Sequence, residues 1–173
     1  MPDVPDTAPA ANAGARLHEL GLVLPKPPTP LGNYVEVNQV GSLLFLSGTL
    51  PIVDGKLAFT GRLGENLSVG QGQEAARLAA LNALALVQEH AGGLDRVKKL
   101  VKLTVLMVTT EHFTEHAAVG DGASNLFAQL FGPETGHVRV VYGVQSMPIG
   151  APVMVETVFE LGNGKSEDST TRT

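Results

Sequence analysis

With 173 residues, 43% of them hydrophobic, the chain is long enough for one globular domain with a sizeable core. It has no cysteine, which excludes disulfides, thiolate metal sites and a cysteine nucleophile. A net charge of −5 and a pI near 5.5 give no electrostatic footprint for nucleic acid. No apolar run has the length of a helical membrane span or the layout of a signal peptide, so the default location is the cytoplasm.

Residues 1–13 are rich in Pro, Ala and Asp and read as a disordered tail. A short helix is predicted over residues 14–20, with Leu17 and Leu20 three apart on one face and Gly21 as its stop. Pro25, Pro27, Pro28 and Pro30 keep the next segment extended and irregular. Sheet begins with a strand at residues 34–37 and turns over residues 38–42. It returns as Leu43-Leu44-Phe45-Leu46, apolar enough for burial on both faces, and closes on Ser47-Gly48-Thr49. Two short strands flank Asp54-Gly55, a hairpin-turn pair.

Ser68 and Gln71 have the spacing of a capping box and predict a helix to about His90, stopped by Gly92-Gly93. Over residues 100–108, Val101, Leu103, Val105 and Met107 alternate with Lys102 and Thr104, the period of a half-exposed strand. A second helix is predicted over residues 111–131, interrupted near Gly120 and Gly122 and ended by Gly132-Pro133. Residues 137–161 read as a hairpin, two strands around a turn at 146–152. From Gly162 the polar sequence reads as a second disordered tail, leaving a single domain over 14–161. This order predicts an α+β fold, a two-layer sandwich with a mixed sheet and two helices on one face. The other sheet face is too apolar to meet water and is expected to pack on another subunit.

Arg139 is the residue most in need of a function. It opens a strand that is otherwise nearly all apolar, and a buried guanidinium left unpaired costs about 3–5 kcal/mol. Two partners are open: a bound anion, or Glu156 or Glu160 across the hairpin. Other motifs carry less. His112-Phe113-Thr114-Glu115-His116 matches H-x-x-E-H, but a zinc site needs a third ligand and the segment reads as a solvated helix start. Gly70 and Gly72 lack the third glycine of a phosphate loop. Ser47 has no nucleophile-elbow pattern around it and reads as a turn serine, and Tyr34 reads as strand packing.

Taken together, certain residues resemble the RidA/YjgF family, also known as endoribonuclease L-PSP or translation-initiation-inhibitor-like proteins. They are Gly32-Asn33-Tyr34, Gly41, Leu46-Ser47-Gly48, Asn82, Gly92-Gly93-Leu94 and residues 101–105. Phe131-Gly132-Pro133, Arg139, and Met147-Pro148 followed by Val153-x-Val155-Glu156 complete the set. The resemblance covers about residues 31–161. Gly122 to Phe127 and the Ser146–Pro152 turn look like a longer, less characterised branch.

The resemblance implies a chorismate-mutase-like fold (the bacillus type) and a homotrimer with clefts between subunits. There Arg139 would hold a substrate carboxylate, and Tyr34 and Ser47 would shape the pocket. It implies hydrolysis of enamines and imines, a hydrolase (deaminase) reaction giving 2-keto acids and ammonia with no cofactor. Two positions depart from the family pattern. The catalytic Glu, six residues after the hairpin Pro, is here Met154, with Glu156 next on the same strand face. Thr49 stands where the family has Gln. The first functional reading is therefore a carboxylate-binding metabolite protein with enamine or imine hydrolysis in question and Glu156 as the candidate water-positioning group. The alternative is a non-catalytic binding or regulatory trimer, and the third reading is an endoribonuclease, against which the acidic pI argues.

Overall fold

A computed structural model describes residues 12–162. The expected tails at 1–11 and 163–173 lie outside the described residues. A short helix α1 (Ala13–Glu19) leads into an irregular proline-rich segment. Strands β1 (Val37–Val40) and β2 (Leu43–Thr49) follow, then the small ribbon β3 (Ile52–Val53) and β4 (Lys56–Leu57). Next come α2 (Val69–Ala91), β5 (Val97–Val108), α3 (His116–Phe131), β6 (Val138–Val144) and β7 (Val153–Leu161). The main sheet has the order β1-β2-β7-β5-β6, antiparallel except for the parallel pair β5–β6. The two-layer α+β reading holds.

Local chemistry explains the elements. Ser68 Oγ accepts from the Gln71 backbone N–H at 3.2 Å while Gln71 Oε1 accepts from the Ser68 N–H at 2.9 Å, the reciprocal box that starts α2. Gly92 ends the helix at φ 73°. Asp54 and Gly55 both take positive φ and turn β3 into β4. The β7 burial pattern alternates without a break: Val153, Val155, Thr157, Phe159 and Leu161 face the helices, and Met154, Glu156, Val158 and Glu160 face away. Phe159 meets Phe127 and Phe131 of α3 edge-on, with ring centroids 5.7 and 6.0 Å apart.

Four expectations are corrected. The largest concerns residues 137–161. These are not a hairpin, because β5 lies between β6 and β7 and pairs with both. The connection spans eight residues, 145–152, with Pro148 and Pro152 in it, and it arches over the end of β5, where the Val108 N–H donates to the Pro152 carbonyl at 2.8 Å. β6 instead reaches β5 through α3, the helical crossover a parallel pair requires.

The second correction is α3, which starts at His116 rather than 111. Residues 111–115 form a turn held by tertiary contact: Phe113 packs against the core and stands edge-on to the His116 ring at 5.1 Å. Gly120 and Gly122 do not break the helix. They let neighbours come close: a Cβ on Gly122 would lie 2.0 Å from the Gln73 carbonyl oxygen of α2.

Third, the first strand begins at Val37, because residues 32–34 turn, with the Tyr34 N–H on the Gly32 carbonyl at 3.1 Å. Fourth, β5 starts at Val97 rather than 100. Irregular pairing with β7 between Val97 and Lys99, and between Leu100 and Lys102, disrupts the alternation a strand otherwise shows.

The helix-free face is open. Neighbouring strands place Asn38, Phe45, Val158, Lys102 and Val138 in one row, and Met154, Leu106 and Tyr142 in another. Val138, Tyr142, Phe45 and Val40 are all large, apolar and exposed there.

Candidate functional site

Arg139 sits on the edge strand β6. Its register partners across the sheet are Leu103 and Thr157, both buried against the helices, so its side chain points to the helix layer. There Nη1 donates to Asp121 Oδ1 at 2.7 Å and to Ser124 Oγ at 3.0 Å, both on α3. This answers the open question of its partner: the ion pair is with Asp121, not with Glu156 or Glu160. Glu160 is held instead by Lys98 and Lys99, each at 3.4 Å. Gly120 makes room for the guanidinium, since a Cβ there would stand 3.4 Å from Nη1.

Among the described residues, one nitrogen of the guanidinium is engaged. Among the described residues Nε and Nη2 have no hydrogen-bond partner, and the side chain is 25% exposed. That free edge has the planar two-donor geometry that matches a carboxylate. Two residues earlier on the same face, His137 places Nε2 3.0 Å from Ser124 Oγ. Burial first, and then the Arg139 charge, hold the His137 pKa below its ordinary value of 6.5. Ser124 therefore joins a fixed cation on one side to a neutral imidazole on the other.

The other candidate residues lie elsewhere in the protomer. Ser47, on β2, donates to a Glu36 carboxylate oxygen, and its backbone N–H donates to the Glu36 carbonyl at 2.9 Å. Tyr34 is exposed, and its hydroxyl accepts from the Leu31 N–H at 3.2 Å. Glu156 is exposed on the open face in register with Thr104. Met154 shares that face and covers Gly48. Strands β5 and β7 separate Arg139 from Ser47, roughly 14 Å at the usual strand spacing. One chain does not bring Arg139 together with Tyr34, Ser47 or Glu156. His112 lies outside α3 and is 89% exposed, so it shares no helix face with His116.

The family model for "YjgF/chorismate mutase-like, putative endoribonuclease" matches residues 14–161. The chain belongs to this family. Protein TCP17 of Trypanosoma cruzi is 42% identical over 155 residues, covering 89% of this chain and 97% of that one. The RutC family protein y4sK of Sinorhizobium fredii is 33% identical over 134 residues, 78% of this chain and 91% of the relative. A crystal structure described as a "putative endoribonuclease" from Shewanella oneidensis superposes with a TM-score of 0.83 at 36% identity. It covers 86% of this chain and 99% of its own. The chorismate-mutase-like YjgF fold expected from the sequence is thereby established.

Sequence reasoning missed Asp121, Ser124 and His137. A signal was present: Asp121 and Ser124 are three apart on one helix, and His137-x-Arg139 has the strand period that puts both side chains on one face. What the sequence did not show was which helix β6 packs against.

Proposed function

We propose that this RidA/YjgF protein binds the carboxylate of a small metabolite through Arg139, and hydrolyses imines of 2-keto acids to the keto acid and ammonia. The observation that carries this reading is the free Nε–Nη2 edge of a guanidinium whose third nitrogen is anchored by Asp121 and Ser124. Anchoring one nitrogen fixes the plane of the fork, so a carboxylate meets donors already oriented and loses less freedom on binding.

The site is completed between subunits. Tyr34 and Ser47 lie at the β1–β2 side of the sheet and Arg139 at the opposite edge. In a closed homotrimer one edge meets the other, and the exposed Val138, Phe45, Val40 and Tyr142 of the open face are covered at the same time. Burial of that face is the physical support for the assembly. Sedimentation equilibrium tests it: a single trimeric species is expected, and a monomer at micromolar concentration contradicts it.

The activity is tested with enamines generated in situ, measuring ammonia and keto acid in the native protein, Arg139→Ala and Met154→Glu. Turnover in the native protein that disappears in Arg139→Ala supports the reading. Turnover that appears only in Met154→Glu means the scaffold keeps its carboxylate site without the reaction, which is the non-catalytic binder.

A further inference from the structure

Resting on that reading, we propose that Ser124 and His137 form the proton-transfer pair of the site, in the role that Met154 cannot fill. Ser124 is the catalytic residue that meets the attacking water, and His137 is the positioning residue that takes and returns the proton through it.

The geometry gives Ser124 Oγ two neighbours at 3.0 Å, Arg139 Nη1 and His137 Nε2. Arginine can only donate, so the Arg139 bond occupies a lone pair on Oγ. The serine proton is then free to point at Nε2, which accepts it when the ring carries its proton on Nδ1. This is the arrangement of a hydroxyl beside its base. It is also hydrogen-bonded to the guanidinium that the ligand carboxylate would meet.

The pair is not sealed in the core. Ser124 and His137 both line a cleft of about 310 Å3, together with Leu100, Phe127, Phe131 and Thr135. The apolar walls of that cleft strengthen charge interactions by keeping water sparse. Partial burial first, and then the Arg139 cation two residues along β6, favour the neutral imidazole. Of the other charges nearby, Asp121 on α3 is bound to Arg139, and Glu134 folds over Gly132 in the turn before β6. On β5, Lys102 is in register with Val138 and so lies on the opposite sheet face.

The step balances for a protonated imine held at Arg139. The water oxygen bonds to the imine carbon while the C=N π pair moves to nitrogen. The water proton passes to Ser124 Oγ as the serine proton passes to His137 Nε2. His137 then returns a proton through Ser124 to the nitrogen. The C–N bond breaks with its pair on nitrogen, the carbinol O–H pair becomes the carbonyl, and the released proton leaves on ammonia as ammonium. Protonated imine plus water becomes keto acid plus ammonium, with no oxidant or reductant.

The test compares native protein with Ser124→Ala, Ser124→Thr and His137→Gln, using an imine formed in situ and pyruvate as the non-reacting carboxylate probe. General acid–base catalysis contributes roughly 10²–10⁴-fold, so kcat is expected to fall about 100-fold or more in Ser124→Ala and His137→Gln. Pyruvate affinity should stay within about threefold in His137→Gln, and Ser124→Thr, which keeps the hydroxyl that anchors Arg139, should restore most of the rate lost in Ser124→Ala. The native rate should decline on an acid limb below pH 6.5 that His137→Gln lacks. Native kcat and an intact acid limb in His137→Gln overturn the proposal. So does a native protein that binds pyruvate and turns over no imine. Pyruvate binding that survives Arg139→Ala overturns the underlying carboxylate reading instead.

Discussion

Met154 lies directly over Gly48: a Cβ built on the glycine would stand 2.3 Å from the methionine Sδ. The glycine belongs to the Ser47-Gly48-Thr49 end of β2, where the pairing with β7 shifts register between Leu46 and Thr49. Gly48→Ala forces the thioether aside and is expected to cost about 1–3 kcal/mol, the usual range for overpacking. Adding Met154→Ala should relieve much of it, so the double-mutant cycle measured by urea unfolding is non-additive. Additive losses mean the two residues do not meet.

The helix pair is less forgiving. Gly122 of α3 approaches the Gln73 backbone of α2, and a Cβ there would lie 2.0 Å from a carbonyl oxygen that cannot rotate away. Gly122→Ala raises helix propensity yet should destabilise by about 3 kcal/mol or more, because the helices must separate. An alanine variant as stable as native in thermal unfolding contradicts the packing described.

Asp121 competes with the ligand for the charge on Arg139. Its side chain is 50% exposed, so the pair is in the modest range of about 0.5–1 kcal/mol. Asp121→Asn keeps an acceptor for Nη1 and removes the opposing charge. Titration calorimetry should show carboxylate affinity rising roughly two- to fivefold. Weaker binding means Asp121 is needed to hold the guanidinium in place.

His137 couples protonation to stability. Its folded pKa is depressed, by burial and then by Arg139, so the unfolded chain binds the proton more readily. The contribution is fully present above the unfolded value of 6.5 and is lost as pH falls through the lower folded value. His137→Gln should flatten that part of the stability–pH curve. In an NMR titration Arg139→Gln should move the His137 pKa back toward 6.5, since one of its two causes is gone.

Where a structural signal was local, the sequence was legible. The capping box at Ser68, the Asp54-Gly55 turn and the Gly92 stop each depend on residues within one turn of one another, and each stands as expected. Neighbours in space decided the rest. Residues 137–161 suggest a hairpin until β5, which pairs with both strands, takes the place between the two halves. Gly120 and Gly122 suggest a helix break until Arg139 and Gln73 are seen to need their space. Arg139 was identifiable as a lone cation in an apolar run. Its partners were not, because Asp121 and Ser124 come from a helix whose facing side is set by the crossover.

The central claim is that Arg139 holds a carboxylate, and a ligand-dependent stability measurement tests it most directly. Pyruvate or a small amino acid at a hundredfold its dissociation constant should stabilise the native protein by about 2.7 kcal/mol. Arg139→Ala should abolish that shift while remaining folded. A shift of the same size in Arg139→Ala contradicts the account.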